Sequence, residues 1–238
     1  MDVVASLYGR NNLLDIVART SKEIFIPLTV GGGLRTLDDI RKVLCAGADK
    51  VSLNTAAIRE PELIRQAAHR FGSSTIVVSV EAIKKSDGRY EAYTDNGRQE
   101  TGRDAVAWAV EAAALGAGEL LVTSIDREGT GRGFDVELTR QIADAVSIPV
   151  IACGGAGSVQ HVCDVVAEGH ANAVCLASVL HYHTVQHHEV VGDFSAEGNV
   201  EYLTKRRGGF LSIHVATLPE IRDAMRSAGI PCREVDYA

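Results

Sequence analysis

Short apolar runs alternate along the chain with segments whose apolar residues recur at helical spacing. The runs, which we interpret as strands, lie at residues 1–4, 25–30, 50–54, 74–80, 119–125, 148–152 and 172–178. Amphipathic helices are predicted over residues 13–23, 61–70, 104–115, 136–146 and 218–228, with a further helix after Thr36. A small hairpin is expected within residues 89–98. Strands that alternate with helices in this way predict a parallel sheet.

A repeat relates the first half of the chain to the second. Residues 27–58 align without a gap on residues 149–180. In each copy a proline precedes a short strand, a glycine pair follows (Gly32-Gly33 or Gly154-Gly155), and a helix leads to a second strand. A duplication of this kind predicts a barrel that is built from two similar halves.

The two glycine pairs define candidate anion sites. Glycine after a strand allows backbone N–H groups to approach an anion, and the helix N-terminus beyond it favours negative charge. Each second strand also ends in small or hydroxyl residues, at 54–55 and at 177–178. The repeat therefore predicts two phosphate sites that face each other across the barrel. The alternative is that the glycines only permit tight turns between strand and helix.

The number of strands falls short of a closed barrel. Residues 1–4 and six further runs are found where closure needs eight strands. By the repeat, the partner of strand 74–80 would precede Met1, and the partner of strand 119–125 would straddle Met1. We therefore expect an α/β fold, a TIM (β/α)8 barrel of two half-barrels that lacks the first βα unit and part of strand 2.

Composition and charge narrow the class of protein. With 238 residues, 46% of them hydrophobic, the chain is expected to form one domain over residues 1–238, with an insertion at about 181–209. The formal charge of −7 disfavours nucleic acid as a partner, and the apolar runs are too short to cross a membrane. The five cysteines form no CxxC pair, which is typical of a reduced, cytoplasmic protein.

Three segments resemble the cyclase subunit of imidazole glycerol phosphate synthase: IPLTVGGGLRTLDDIRKVLCAGADKVSLNTAAI, LLVTSIDREGT and SIPVIACGGAG. The resemblance implies a TIM barrel that receives ammonia from a glutaminase partner. It also implies closure of an imidazole ring on a bis-phosphorylated ribulosyl-formimino substrate, with release of imidazole glycerol phosphate and an aminoimidazole carboxamide ribonucleotide. No cofactor is expected. The two phosphates of that substrate agree with the two sites predicted from the repeat.

The resemblance also assigns binding residues by position. One phosphate would be bound by Gly33, Asn54 and Thr55. The other would be bound by Gly129, Gly155, Ala177 and Ser178. An ammonia gate at the opposite end of the barrel would consist of Lys50 and Glu119, each at the start of its strand. The alternative for these two residues is an ordinary surface ion pair.

The catalytic positions depart from the family pattern. The family uses two aspartates as general acid and base, and the first would lie upstream of Met1. The second position is Glu81 here, which keeps the carboxylate but is one methylene longer, so the geometry of proton transfer must shift. A solvated strand-end residue is the alternative for Glu81. Asp2 and Asp126 match strand-end aspartates that contact substrate, or they bind loop backbone instead.

Three functions remain open from the sequence. The first is the ammonia-dependent cyclase/lyase. The second, favoured by Glu81 and by the insertion, is a divergent paralogue of the type linked to surface-polysaccharide gene clusters, which passes ammonia to a sugar amidotransferase. The third is an inactive scaffold that binds a glutaminase. The histidines of HYHTVQHH, at 181–188, suggest either a solvated lid or a metal site, and we expect no metal.

Overall fold

A computed structural model describes residues 14–187 and 213–233 of the chain. In that part, six strands form a parallel sheet in which each strand pairs with the next one in the barrel sequence. They are β1 (Thr29–Gly31), β2 (Lys50–Leu53), β3 (Ile76–Lys84), β6 (Glu119–Ser124), β7 (Val150–Cys153) and β8 (Ala173–Val174). This sequential parallel order is that of a TIM barrel, so the predicted fold class is confirmed.

The hairpin predicted within residues 89–98 is present but longer. It consists of β4 (Tyr90–Thr94) and β5 (Gln99–Asp104), and β4 pairs antiparallel with the second half of β3. Since β2 pairs only with the first residues of β3, the hairpin takes the position beside β3 that β2 leaves.

Helices follow the strands and pack against one face of the sheet. They are α1 (Leu14–Glu23), α2 (Leu37–Cys45), α3 (Thr55–Arg59), α4 (Glu62–Phe71), α5 (Ala105–Ala114), α6 (Val136–Ala145), α7 (Val159–Ala167), α8 (Ser178–His187) and α9 (Leu218–Ser227). Several begin at side-chain caps, including the predicted Thr36, which forms a capping box with Asp39. The side chains of Asp104, Asp135 and Ser158 cap α5, α6 and α7 by accepting a backbone N–H of the first turn.

The structure corrects several predicted boundaries. Phe25 and Ile26 precede β1 and are 99% and 70% exposed, because the strand begins only at Thr29. The strand predicted over 172–178 covers Ala173–Val174, and Ser178 already opens α8. Residues 181–187, expected to begin the insertion, continue that helix. Residues 1–13 and 188–212 lie outside the described residues, so the strand expected at 1–4 and most of the insertion stay predictions.

The two faces of the sheet differ in character. Val51, Val78 and Leu120 belong to the main core, together with Ile40, Ile64 and Trp108 from the helices. The alternate residues of the same strands point to the other face, as the two-residue period of a strand requires. That face carries polar side chains at Lys50, Ser52, Ser79, Glu81, Glu119 and Thr123. It is the inner, concave face of the barrel wall.

Within the described ranges, no helix combines the length and the apolar character that a membrane crossing requires.

Replacement of Trp108 on α5 tests how much a buried side chain of the core contributes to stability. Its ring is 1% exposed, with the guanidinium of Arg103 4.9 Å from the ring centroid. We expect Trp108→Ala to lower the free energy of unfolding by about 3–5 kcal/mol, because it removes a large buried side chain. Val110 on the same helix is 43% exposed, so Val110→Ala should change the free energy of unfolding by less than about 0.5 kcal/mol. Urea unfolding of both variants measures the difference, and equal losses would contradict the packing described here.

Candidate active site

The register of the sheet places the candidate residues at two ends of the concave face. Glu81 pairs with Thr123, and Thr123 pairs with Cys153, so these three residues form a row near the carboxyl ends of the strands. Lys50 and Glu119 are the first residues of β2 and β6, at the opposite end. Active sites of TIM barrels lie at the carboxyl ends of the strands.

A cavity of about 240 Å³ opens at the carboxyl ends of β1, β2 and β3. Its walls come from the first glycine loop, the end of β2, the start of α3 and the tip of the hairpin. The lining includes Gly32, Gly33, Ser52, Asn54, Thr55, Arg59, Glu81 and Asn96. Three residues assigned to one phosphate therefore lie around the same cavity as the assigned catalytic carboxylate.

Asn54 and Thr55 are held in this cavity by the hairpin. The Asn54 amide donates to the carbonyl of Tyr93 at 3.3 Å, while its own oxygen is buried without a protein partner. The hydroxyl of Thr55 accepts the N–H of Asp95 at 3.1 Å. Arg59 forms an ion pair with the Asp95 carboxylate at 3.0 Å. An unpaired buried acceptor is costly, so the Asn54 oxygen is positioned for a ligand that donates a hydrogen bond.

The tip of the hairpin contacts Glu81 directly. Asp95, Asn96 and Gly97 all have positive φ, at 53°, 58° and 72°. This turn directs the Gly97 N–H towards the sheet, where it donates to a carboxylate oxygen of Glu81 at 2.8 Å. This contact was not predicted from the sequence. The Asp-Asn-Gly run, which tolerates left-handed backbone, indicates a tight hairpin turn at this position.

Glu81 lies inside β3 and is half-buried, so the expectation that it ends its strand is wrong. The strand continues to Lys84 because β4 and β6 pair with residues 81–84 and 77–82 of β3. Burial raises the pKa of the Glu81 carboxyl above its ordinary value. The Gly97 N–H and the Asn54 amide act in the opposite direction, and the nearby carboxylates of Glu128 and Asp95 raise the pKa further. A carboxyl group whose pKa is raised keeps its proton to a higher pH than an exposed glutamate does, which suits it to general acid–base catalysis.

The second glycine loop is used differently from the first. A Cβ on Gly155, whose φ is +102°, would lie 2.2 Å from the carbonyl oxygen of Gly133. The Gly133 N–H donates to the Gly155 oxygen at 2.7 Å. Close backbone packing against the loop after β6 therefore requires glycine here. Packing thus gives one reason for glycine at position 155, whereas Gly129 has φ +71° and no atoms within 4 Å of a Cβ.

The remaining residues assigned to the second phosphate follow β8. Ala177 directly precedes α8 and accepts the N–H of His181 at 2.8 Å, and Ser178 is the first residue of the helix. Gly129, Gly155, Ala177 and Ser178 are not among the residues that line the cavity around Glu81. Their assignment to a second phosphate stays a prediction.

The two candidate substrate aspartates have different outcomes. An oxygen of Asp126 accepts the backbone N–H of Lys84 at 2.9 Å, so this carboxylate ties the loop after β6 to the end of β3. The loop bond, one of the two roles considered for Asp126, is therefore present. Asp2 lies outside the described residues.

Lys50 and Glu119 form an ion pair across β3. The Lys50 ammonium donates to a Glu119 carboxylate oxygen, and their side chains are 28% and 22% exposed. Two residues on non-adjacent strands can meet only on the concave side of a curved sheet, so the pair spans the amino-terminal end of the barrel interior.

The histidines after β8 are in α8 as far as it is described. The rings of His183 and His187 stack with centroids 4.2 Å apart, and His187 Nδ1 lies 2.8 Å from the His183 oxygen. Over residues 14–187 and 213–233, no group of three or more His, Cys, Asp or Glu side chains is placed to hold a metal ion.

The fold and the site define a TIM barrel with a half-buried carboxylate beside a glycine loop at the carboxyl ends of its strands. Residues 1–186 match the family of histidine biosynthesis proteins, and the chain belongs to this family. Over 185 residues it is 52% identical to the imidazole glycerol phosphate synthase subunit HisF of Alkaliphilus metalliredigens (strain QYMF). That match covers 78% of this chain and 73% of the relative. The family expected from the three sequence segments is therefore confirmed.

The raised pKa of Glu81 predicts how stability depends on pH. Because the pKa is higher in the folded chain than in the unfolded chain, ionisation of Glu81 opposes folding. This cost is absent below the unfolded pKa of about 4.3 and grows as the pH rises through the folded pKa. We expect Glu81→Gln to be more stable than the wild type at neutral pH and equally stable at low pH. Thermal unfolding across pH 4–8 measures the difference.

Glu137 provides a control of opposite sign. Its exposed carboxylate bonds to the Lys84 ammonium at 2.6 Å, which lowers its pKa. Glu137→Gln should therefore be slightly less stable than the wild type at neutral pH, and the difference should vanish in acid. A Glu81→Gln variant that is destabilised at neutral pH would contradict the account of Glu81.

Proposed function

We propose that this chain is an ammonia-dependent cyclase/lyase of the imidazole glycerol phosphate synthase type. The observation that carries the proposal is the cavity in which Gly33, Asn54 and Thr55 surround Glu81. The substrate is the bis-phosphorylated ribulosyl-formimino compound that the family resemblance implies. Its products are imidazole glycerol phosphate and an aminoimidazole carboxamide ribonucleotide.

The first phosphate of the substrate would bind at the glycine loop. Gly33 has φ +71°, a conformation that leaves its backbone free to approach a ligand closely. Thr55 and Arg59 lie on the same wall of the cavity, and each is held by Asp95. A phosphate that arrives there gains a hydroxyl and a guanidinium as partners, which are typical phosphate ligands.

Glu81 would move the protons of the reaction. Ring closure with ammonia expels water from a carbonyl carbon and releases the second product as an amine, and both departing groups need a proton. The raised pKa of Glu81 allows its carboxyl to supply one and take it back. The Gly97 N–H fixes one carboxylate oxygen, and the Glu81 side chain lines the cavity.

Ammonia would enter from the opposite end of the barrel, where Lys50 and Glu119 lie. We infer a glutaminase partner at that face as the source of ammonia, because the paired charges close the amino-terminal end of the barrel interior. Further along the strands towards Glu81, Ser52 and Ser79 add buried hydroxyl groups on the same face, and each is 3% exposed. This arrangement supports passage of a small polar molecule towards Glu81.

A second candidate function is transfer of ammonia to a sugar amidotransferase. Glu81 in place of the usual aspartate favours it, and so does the tight backbone packing of Gly155 at the position assigned to the second phosphate. Turnover of the bis-phosphorylated substrate with ammonium salt separates the two candidates. Turnover supports the cyclase, whereas stimulation of a glutaminase without any cyclisation favours the second candidate.

Replacement of Glu81 tests its role in proton transfer. We expect Glu81→Gln to lower kcat of the ammonia-dependent reaction by about 10²–10⁴-fold, because general acid–base catalysis contributes that much. Glu81→Asp keeps the carboxyl group and should retain substantially more activity. Glu137→Gln, an exposed carboxylate outside the cavity, should leave kcat unchanged. Wild-type kcat in Glu81→Gln would remove Glu81 from the mechanism.

Replacement of Lys50 tests the gate. Lys50→Ala leaves the Glu119 carboxylate half-buried without its partner, so we expect glutamine-dependent turnover with the glutaminase to fall several-fold. Turnover with free ammonium salt, which reaches the site from solvent, should change much less. Lys42→Ala removes an exposed partner of Asp38 and serves as the control. Equal losses with both nitrogen sources would indicate a general effect on folding rather than a gate.

A further inference from the structure

Two cysteines lie side by side at the ends of the last two described strands. Cys153 ends β7, and Cys175 directly follows β8. The register pairs Ala152 with Val174, and the Cys175 N–H donates to the Ala152 oxygen at 2.8 Å. That bond extends the parallel pairing by one residue, so Cys153 and Cys175 are direct neighbours across the two strands.

Both thiols point to the concave face. Ala152 and Val174 pack with the second core cluster, so the residues that follow them alternate to the other side. There the two cysteine side chains lie next to each other on neighbouring strands. Neighbouring strands are about 4.8 Å apart, which lies within the range of Cα separations that a disulfide spans, roughly 4.4–6.8 Å. The pair can be bridged without a change of register.

The two thiols differ in reactivity. Cys175 is exposed, and its interaction with the neighbouring Cys153 thiol lowers the pKa of Cys175. The same interaction, together with burial, raises the pKa of Cys153. A low-pKa, accessible cysteine beside a second thiol is the arrangement found where a thiolate reacts first and its neighbour resolves the product. Neither cysteine has a role in the function proposed above.

We propose that Cys153 and Cys175 form a peroxide-reactive dithiol that closes to a disulfide between β7 and β8. The Cys175 thiolate attacks the terminal oxygen of a hydroperoxide, an S–O bond forms as the O–O bond breaks, and Cys175 becomes a sulfenic acid. The other oxygen leaves as hydroxide or alkoxide and takes a proton from solvent to give water or an alcohol. The Cys153 sulfur then attacks the Cys175 sulfur, and the sulfenic oxygen departs as water with the Cys153 proton. The two sulfurs are oxidised by two electrons, and the peroxide is reduced.

The disulfide would act on the site assigned to the second phosphate. Cys153 directly precedes Gly154-Gly155, and Cys175 lies two residues before Ala177. A covalent bond between these strand ends restricts both segments at once. This consequence rests on the proposed function, whereas formation of the disulfide does not.

Peroxide treatment of the reduced full chain tests the proposal. We expect the protein to lose the mass of two hydrogen atoms and two titratable thiols, with one cross-linked peptide that joins Cys153 to Cys175, and thioredoxin-type reductant should reverse the change. Binding of inorganic phosphate, measured by calorimetry before and after oxidation, should become several-fold weaker at one site. Cys175→Ser and Cys175→Ala should abolish both effects, and Cys45→Ser, at an exposed cysteine on α2, should abolish neither.

Each other outcome has a definite meaning. A missing cross-link, or one that involves a different cysteine, overturns the dithiol. A disulfide that leaves phosphate binding unchanged overturns its control of the site. If the reduced chain binds no phosphate although the disulfide forms, the proposed function fails and the dithiol stands.

Discussion

The position of β3 determines the candidate active site. This strand pairs with β2 at its first residues, with β6 along most of its length and with β4 at its end. Where β2 stops, β4 replaces it, and the gap between the two strands is the cavity. Asn54 lies in this gap and binds the Tyr93 oxygen of β4. Glu81 is held at the same level by the register with Thr123, so a shift of one residue would turn its side chain into the core.

The two copies of the repeat show how one sequence pattern serves two physical purposes. In the first copy, Gly32 and Gly33 line a cavity. In the second, Gly155 allows two backbone segments to touch, since any side chain there would overlap Gly133. Both positions need glycine, but for different neighbours: a cavity in the first copy and the backbone of Gly133 in the second. A glycine pattern predicts that the backbone closely approaches either a ligand or another segment of the chain. Only the structure distinguishes these two cases.

Much of the fold followed from the spacing of apolar residues. The strands around Val78 and Val122 were predicted because each is a short apolar run between segments with helical spacing. The ends of β8 and the position of Glu81 inside β3 were not predicted. Where a strand ends depends on which strands pair with it, and pairing between distant segments leaves no local pattern in the sequence. Thr36 was recognisable as a cap because the Thr-x-x-Asp spacing is local. The contacts of Asp95 and Gly97 with Thr55 and Glu81 join residues far apart in sequence, so they could not be predicted.

The candidate site was predicted in part for the same reason. Asn54 and Thr55 follow β2, and Glu81 lies near the carboxyl end of the neighbouring β3, so their proximity was foreseeable from the order of the strands. The partner of Asp126 was not, since the Lys84 N–H is available only because β3 runs on past the barrel wall. Physical context therefore separates a carboxylate that ties a loop from one that lines a cavity.

The hydrogen bond from Gly97 to Glu81 also bears on the chemical ageing of the chain. Asn-Gly is the dipeptide in which an asparagine side chain most readily cyclises onto the next backbone nitrogen and then deamidates. The nitrogen that follows Asn96 is that of Gly97, and it donates to the Glu81 carboxylate at 2.8 Å. The residues on either side of Asn96, Asp95 and Gly97, both have left-handed backbone. Cyclisation must first break this bond, and the isoaspartate that follows would lengthen the backbone and carry the N–H away from Glu81. The hydrogen bond that positions the Glu81 carboxylate thus protects the hairpin from slow covalent damage. If this bond is lost in aged protein, Glu81 is the first side chain to change its position.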